Sequence, residues 1–406
     1  MCGIVGYVGN QSVVDILLDG LEQLEYRGYD SAGVALQTPD KLDVYKAVGK
    51  LCNLREELKH HTDETRKAIM GIGHIRWATH GAPTLLNAHP HSCNCGKLVV
   101  VHNGIIENYK ELRELLASKG CVFKTQTDTE VVAHLIAQKY ALAKDLTEAV
   151  RLAVKDLKGA YALCVMHKEE KNKLVGTKLN APLLIGVGEE ENFFASDVPA
   201  IIKHTKKAVY LEDGEIATLT KDTYSVIDSD GNAVDKKEEM LPWEPIALSK
   251  MGYKHFMLKE IHEQPDVIRN ILTGKLHTPQ DNVILNEVKL TKEHLKKLNR
   301  IQIIACGTSL HAAMIGKYLL ETLCGIAVDV EASSEYIYRR TVTDEHTLVI
   351  GVSQSGETAD TLTAIKQAKA KGSHILIITN RPDSAMAHEA DSLVPVNAGI
   401  EVSVAA

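Results

Sequence analysis

The feature that most constrains how this chain folds is a change in strand pattern on either side of residues 230–252. Before that stretch, short apolar runs alternate with helical patterns and then with turn-bounded strands. After it, continuous apolar strands each run into a loop of small and hydroxylated residues and then a helix. The stretch itself holds the charge run Asp235-Lys236-Lys237-Glu238-Glu239, then Pro242-Trp243-Glu244-Pro245, whose prolines favour extended backbone. One core does not serve both patterns, and 406 residues exceed what a single core usually supports. The expectation is two domains, residues 2–235 and 254–406, joined by a linker at 236–253.

In the first part, Gly3-Ile4-Val5-Gly6-Tyr7-Val8 reads as a strand. Val14, Leu17, Leu18 and Leu21 then recur at i, i+3, i+4 and i+7, one face of a helix. Further strands are expected at 33–37, 43–47, 70–76 and 98–103. Leu112, Leu115 and Leu116 mark a second amphipathic helix. Thr127 or Asp128 is placed to cap a third, with Val131, Val132, Leu135 and Ile136 on its apolar side. From 161 to 228 strands dominate, at 161–167, 183–187, 192–195, 215–219 and 224–227. Elements segregated in this way suit two sheets with helices outside. In the second part, 301–305, 347–352 and 374–379 are apolar throughout and alternate with helices, so a doubly wound parallel sheet is expected.

Composition narrows the function classes. With 45% hydrophobic and 24% charged residues the chain is globular, not disordered, collagenous or a coiled coil. Its apolar runs fall far short of the ~20 residues of a membrane span, and its start has no basic segment leading into an apolar one, so no signal peptide is visible. A net charge of −7, the lack of a long basic run and only 5% aromatics argue against nucleic acid as a partner. The 8 cysteines, spread along a chain without such a leader, fit a reduced cytoplasmic protein better than a disulfide scaffold.

Cys2 calls for chemistry. A small residue at position 2 favours removal of Met1, which leaves a thiol and an α-amine on one residue. A terminal amine titrates at about 7.7–8.0, so it serves as a base near neutral pH, the N-terminal-nucleophile arrangement. The plainer alternative is a buried cysteine at a strand start. Three segments add to this. Arg76, in Arg76-Trp77-Ala78-Thr79-His80-Gly81, leaves a strand and suits a carboxylate held bidentately, or a surface ion pair. In His102-Asn103-Gly104, a side-chain amide and the next backbone N–H suit an oxyanion hole, or an Asn-Gly turn. Asp128, in Thr127-Asp128-Thr129-Glu130, suits a substrate ammonium, or helix capping. Further on, Cys306-Gly307-Thr308-Ser309 and Ser353-Gln354-Ser355-Gly356-Glu357-Thr358 put hydroxyls and N–H groups at helix starts. A phosphate is favoured there, with ordinary capping as the alternative. No Walker or Gly-x-Gly-x-x-Gly pattern points to a nucleotide. His89-Pro90-His91-Ser92-Cys93-Asn94-Cys95 offers soft ligands without a zinc-finger spacing, so no metal is expected.

Met1-Cys2-Gly3-Ile4-Val5-Gly6, Leu24-Glu25-Tyr26-Arg27-Gly28-Tyr29-Asp30-Ser31-Ala32-Gly33, the Arg76 and His102-Asn103-Gly104-Ile105-Ile106-Glu107-Asn108 segments, Asn87-Ala88-His89-Pro90 and Thr127-Asp128-Thr129-Glu130 together resemble the glutaminase domain of the class II glutamine amidotransferases. The nearest likeness is to the branch that aminates fructose 6-phosphate. The later region, above all Ser353-Gln354-Ser355-Gly356-Glu357-Thr358, resembles a sugar-isomerase (SIS) domain. The resemblance implies an αββα N-terminal-nucleophile sandwich followed by a doubly wound parallel-sheet SIS domain.

The same resemblance implies roles. Cys2 attacks the glutamine side-chain amide, and Asn103 and Gly104 hold the oxyanion. Arg76 binds the α-carboxylate and Asp128 the α-ammonium. Thr79 and His80 line the pocket, Arg27 supports the nucleophile's surroundings, and Trp77 gates the ammonia route. Thr308, Ser309, Ser353, Gln354, Ser355 and Thr358 contact fructose 6-phosphate, with Val404 in a closing segment, Asn397-Ala398-Gly399-Ile400-Glu401-Val402-Ser403-Val404-Ala405-Ala406, that lines the same pocket. L-glutamine and fructose 6-phosphate are the implied partners, glucosamine 6-phosphate the product of the full-length family member, and a homodimer through SIS domains the implied assembly. No cofactor is implied. The family continues into a second SIS domain carrying the isomerisation groups. No segment here matches it, so the expectation is an SIS domain incomplete at its C-terminal end and a chain retaining the glutaminase half. Two other readings stand beside this one. Another class II amidotransferase should carry a phosphoribosyl-diphosphate or ATP-pyrophosphatase loop; a non-catalytic sugar-phosphate-binding or regulatory module would release no glutamate.

Overall fold

Strand alternation builds the first unit, Met1–Leu248, as two stacked antiparallel sheets. The computed structural model describes residues 2–25, 28–77, 81–241, 252–273, 275–277, 282–382, 384–399 and 401–403. The strands are β1 (Gly3–Gly9), β2 (Ser31–Gln37), β3 (Leu42–Val48), β4 (Met70–Arg76), β5 (His91–Ser92), β6 (Leu98–Ile106), β7 (Gly159–His167), β8 (Leu174–Leu179), β9 (Leu184–Val187), β10 (Glu191–Ala195), β11 (Lys207–Tyr210), β12 (Ile216–Leu219), β13 (Tyr224–Ile227) and β14 (Glu239–Met240). One sheet runs β14-β11-β9-β10-β1-β4-β2-β3 and the other β13-β12-β8-β7-β6-β5.

Side chains two apart share a face of a strand. Ile4 and Val8 of β1 and Met70 and Ile72 of β4 therefore meet Val99 and Val101 of β6 and Cys164 and Met166 of β7 in one core between the sheets. Each such side chain, fully buried, contributes about 1.5–3 kcal/mol. The opposite face of the first sheet takes the helix Val13–Gln23 through Val13, Ile16, Leu17, Leu18 and Leu21. That helix comes so near that a Cβ on Gly71 would sit 2.8 Å from Leu17 Cδ1. The outer face of the second sheet, with Leu98, Val100, Leu163 and Val165, packs against the helices Tyr109–Ser118, Thr129–Ala143 and Leu146–Val154. The layers are helix, sheet, sheet, helix.

Several sequence expectations need correcting. Leu17, Leu18 and Leu21 are buried as expected, but Val14 is only half-buried, and Val13 and Ile16 join the packing of their helix in its place. Leu115 is exposed; Leu112 and Leu116 are the buried residues of the helix Tyr109–Ser118, with Tyr109 packed beside them. Asp128 sits at the N-cap of Thr129–Ala143 but makes no side-chain cap hydrogen bond. The strand expected at 98–103 continues to Ile106, and β8 and β11 were not foreseen.

The second unit, Ser249–Ala406, is built on a five-stranded sheet. After a short hairpin, β15 (Leu276–His277) and β16 (Asn282–Val283), its strands are β17 (Arg300–Ala305), β18 (Ala327–Ala332), β19 (Thr347–Ser353), β20 (His374–Thr379) and β21 (Ser392–Pro395), all parallel. Both faces are covered. Ile304, Val349, Ile375 and Ile377 pack on Leu362 and Ile365 of the helix Ala359–Lys369. Ile301, Ile303, Leu348 and Ile350 share the other core with Ala313 of the helix Gly307–Cys324. The order β18-β17-β19-β20-β21 reverses direction between β17 and β19. The carboxyl ends of those two neighbours form the crevice where doubly wound sheets take ligands. The helix Gly307–Cys324 leaves Met314, Ile315, Tyr318, Leu319 and Leu323 exposed. Among the described residues, no helix is long and apolar enough to cross a membrane.

Candidate active site

Cys2 directly precedes β1, and the antiparallel register of β1 with β4 pairs Gly3 with Ile75. That register brings Cys2 beside Arg76 and Trp77. The Cys2 thiol donates to the Trp77 carbonyl at 3.4 Å, and its sulfur accepts the Trp77 N–H at 3.2 Å. Burial pushes the thiol pKa up; the Trp77 hydrogen bond and the nearby Arg76 charge act against this. The Trp77 ring is partly exposed and meets Tyr29 edge-on at 5.6 Å between centroids.

Alternation along β6 sends Val99, Val101 and Asn103 to the inner face and His102 outward, where its Nδ1 lies 2.9 Å from Thr129 Oγ1. Asn103 Nδ2 donates to the Cys2 carbonyl at 3.1 Å. The Asn103-Gly104 pair is not a turn, because both residues lie within β6, opposite Ala162 and Tyr161 of β7. Gly104 has φ +120°, and a Cβ there would lie 2.0 Å from the Ala160 carbonyl oxygen. Only glycine takes this conformation without a clash.

Arg76 is the last residue of β4 and is buried. Its Nη1 donates to Ala82 O at 3.3 Å and its Nη2 to Gly81 O at 3.0 Å. Burial lowers its pKa, while Cys2, Asp30 and Asp128 act to raise it. Asp128 is also buried, and its carboxylate accepts the Ile106 N–H at 2.8 Å, which ties the start of the helix Thr129–Ala143 to the end of β6. Cys2, Arg76, Trp77, Gly104 and Asp128 line a single pocket, with His89, His102, Thr127 and Thr129 completing its wall. A guanidinium, a carboxylate and a thiol on one small pocket suit a zwitterionic amino acid whose side chain reaches the sulfur. Arg27, Thr79 and His80 lie outside the described residues.

Behind the pocket lies a group of buried imidazoles. His74 and His89 stack at 4.1 Å, and His91 meets His89 edge-on at 4.6 Å. Burial drives the His74 pKa down to about 3 and lowers those of His89, His91 and His102 as well. These rings are therefore neutral at physiological pH. Sequence reasoning missed His74. The signal was present, since His74 shares the parity of Met70, Ile72 and Arg76 and is the one neutral polar side chain in that strand. In the His89–Cys95 segment, Cys93 and Cys95 approach to 3.0 Å between sulfurs. Among the described residues no group of three or more His, Cys, Asp or Glu is arranged to hold a metal ion.

In the second unit, the loop after β19 is held by its own hydroxyls. Ser353 Oγ accepts the Gly356 N–H at 3.1 Å and lies 3.0 Å from Thr358 Oγ1, and Ser355 Oγ accepts the Glu357 N–H at 3.2 Å. The Gln354 carbonyl accepts the Asn380 N–H at 3.1 Å. Thr308 and Ser309 occupy the first turn of the helix Gly307–Cys324, after the adjacent strand β17, with Thr308 exposed. Val404 lies outside the described residues.

A family model described as a glutamine amidotransferase domain matches residues 84–203, and one described as an SIS domain matches 294–406. With the layered fold and the site, these define the class: an N-terminal-nucleophile amidotransferase domain followed by a sugar-isomerase domain. The chain is 47% identical over 405 residues to glutamine–fructose-6-phosphate aminotransferase (isomerizing) of Symbiobacterium thermophilum, which covers 100% of this chain and 66% of that one. It is 49% identical over 406 residues to the protein of the same name in Gloeobacter violaceus, with the same coverage. Among solved structures, the C-terminal domain of glucosamine-fructose-6-phosphate aminotransferase from Francisella tularensis is 39% identical, covering 38% of this chain and 43% of that chain with a TM-score of 0.36. The chain belongs to the glutamine–fructose-6-phosphate aminotransferase family, and it spans 66% of the length of the curated relatives it matches.

Proposed function

We propose that this chain is a glutamine-dependent amidotransferase of amino-sugar synthesis. In this reading residues 2–235 hydrolyse L-glutamine to glutamate and ammonia. Residues 254–406, beyond a linker at 236–253, bind fructose 6-phosphate, the acceptor of that ammonia on the route to glucosamine 6-phosphate. The observation that carries it is the single pocket shared by Cys2, Arg76, Gly104 and Asp128, with the Asn103 amide 3.1 Å from the Cys2 carbonyl.

Arg76 and Asp128 take the α-carboxylate and α-ammonium of glutamine, which leaves the side-chain amide to reach Cys2. The Cys2 sulfur attacks the amide carbon, and the α-amine of Cys2, free once Met1 is removed, accepts the thiol proton. Negative charge collects on the amide oxygen, where Asn103 Nδ2 and the Gly104 N–H receive it. One such donor is worth about 10²–10³ in rate. The tetrahedral species collapses, the amine returns its proton to the leaving nitrogen, and ammonia departs. Water then cleaves the glutamyl thioester to give glutamate and the free thiol. The reading also assigns Thr79 and His80 to glutamine binding and Arg27 to supporting the nucleophile, on the family resemblance alone, and puts Trp77 on the ammonia's way out.

For the sugar phosphate the reading uses Thr308, Ser309, Ser353, Gln354, Ser355, Thr358 and Val404. What supports it is two hydroxyl-rich loops at the carboxyl ends of adjacent parallel strands, where N–H groups and a helix start favour phosphate. With a chain charge of −7, recognition rests on these groups rather than on a basic surface. The exposed apolar residues Met314, Ile315, Tyr318, Leu319 and Leu323 favour a homodimer through this unit. A cytoplasmic location, with neither nucleic acid nor membrane as partner, completes the proposal. The test is glutamate release from glutamine by the purified chain. It should be present in the wild type and abolished in Cys2→Ala; release that survives Cys2→Ala would refute the reading.

A further inference from the structure

His74 does not line the pocket, yet it touches the side chain on which the oxyanion depends. Alternation along β4 puts it on the inner face, directly behind Asn103 of β6, and it is 1% exposed. Its Nε2 lies 3.0 Å from the His102 carbonyl oxygen and 3.0 Å from Asn103 Oδ1. A carbonyl oxygen can only accept, so the His102 contact puts the ring proton on Nε2. The other nitrogen, Nδ1, has no hydrogen-bond partner, as expected of the bare acceptor in that tautomer. Burial keeps the ring neutral, so the tautomer persists across the working pH range.

We infer that His74 is a positioning residue that fixes which end of the Asn103 amide faces Cys2. The inference rests on the glutaminase reading of this pocket and deepens it. An N–H at Nε2 donates to the Oδ1 end of Asn103 and tolerates only that end beside it. The Nδ2 end must then face away, where one of its hydrogens goes to the Cys2 carbonyl at 3.1 Å. The second hydrogen is left for the oxyanion. A flipped amide would set N–H against N–H on the His74 side and oxygen against oxygen on the Cys2 side. It would also present an oxygen to the negative charge that the site exists to hold. The stack of His74 on His89, at 4.1 Å with ring planes 13° apart, holds the imidazole plane in place.

The test is a double-mutant cycle on the full chain, read as glutamine hydrolysis with melting as a check on folding. His74→Phe keeps a ring but removes the donor; His74→Gln keeps a donor. Each is made in the wild type and in Asn103→Ala. His74→Phe should lower kcat about tenfold or more with KM changed by less than about twofold, the signature of a contact made in the transition state. His74→Gln should retain more of kcat than His74→Phe. Either change should cost less than about threefold further in Asn103→Ala, because the residue acts through that amide. Equal losses in the two backgrounds, a fall in His74→Gln as deep as in His74→Phe, or an unaltered kcat would overturn the inference. If His74→Phe does not fold, the His74→Gln cycle decides alone. A wild-type chain that releases no glutamate overturns the glutaminase reading itself, a result distinct from all of these.

Discussion

Replacing Gly104 with alanine gives a loss whose size follows from the geometry. The added Cβ would lie 2.0 Å from the Ala160 carbonyl oxygen and 2.8 Å from its carbon, both backbone atoms of β7. Ordinary contact begins near 3.4 Å, so one strand must retreat by well over 1 Å. The β6–β7 hydrogen bonds on either side cannot survive that shift intact. Alanine at φ +120° also adds backbone strain of about 1–3 kcal/mol, and forced overpacking adds about 1–3 kcal/mol. Gly96→Ala is the control. It has φ +67° but no atom within 4 Å of the added Cβ, so it carries backbone strain alone, about 1–2 kcal/mol. For a unit of this size each kcal/mol lowers Tm by about 2–4 °C. Gly104→Ala should melt roughly 4–24 °C below the wild type, below Gly96→Ala, and lose about 10² or more of kcat as its N–H moves off the oxyanion. Calorimetry and a glutamate-release assay read both. If Gly104→Ala melts with Gly96→Ala and keeps its kcat, the placement of this pair inside β6 is wrong.

Acid should destabilise the first unit early. Unfolded histidines take a proton near 6.5, whereas folded His74 does so only at about 3, and burial lowers His89, His91 and His102 too. Between those values unfolding takes up protons, so stability falls as pH drops below about 6.5, by up to about 1.4 kcal/mol per pH unit for each such group. The urea midpoint should slide steeply between about pH 6.5 and 4.5; a flat profile would contradict neutral buried imidazoles. In the second unit, fructose 6-phosphate should raise the melting temperature, and inorganic phosphate should do so more weakly. Ser353→Ala, which removes the acceptor of the Gly356 N–H and the neighbour of Thr358, should cost about 1 kcal/mol and blunt the sugar-phosphate shift. An undiminished shift would remove Ser353 from the site.

Strands buried on both faces were easiest to read from the sequence. Met70–Arg76, buried along its whole length, emerges with its bounds intact, as does the core of β19, because apolar runs between turn residues have few other uses; Tyr224–Ile227 also keeps its bounds, although only Val226 in it is buried. Several strands escaped where polar or small residues break the apolar run, β8 and β18 among them. In β8, Leu-Val-Gly-Thr-Lys-Leu, glycine and lysine interrupt the run, although Gly176 is there to admit the Phe194 ring, 2.7 Å from where its Cβ would be. The edge strand β18 carries an exposed Asp329 and a half-buried Glu331, each ion-paired with an arginine, so it does not read as apolar. In the candidate site, Cys2, Arg76 and Gly104 stood out through the motifs around them, although each also had a structural alternative as a buried cysteine, an ion pair or a turn. Asp128 looked like a cap, and only the tertiary contact with Ile106 gives its carboxylate another partner. For His74 the parity of β4 signals an inward side chain but not what it meets, which depends on β4 and β6 facing one another across the sandwich.

The central claim is that Cys2 is a nucleophile addressed by glutamine. Treatment with 6-diazo-5-oxo-norleucine, a glutamine-shaped electrophile, followed by peptide mass mapping tests it most directly. The account predicts one adduct per chain, on Cys2 and on none of the 7 other cysteines. Glutamine should protect against it, Cys2→Ala should lack it, and glutamate release should be lost in step with it. An adduct on another cysteine, or continued glutamate release from a chain fully labelled at Cys2, would contradict the account.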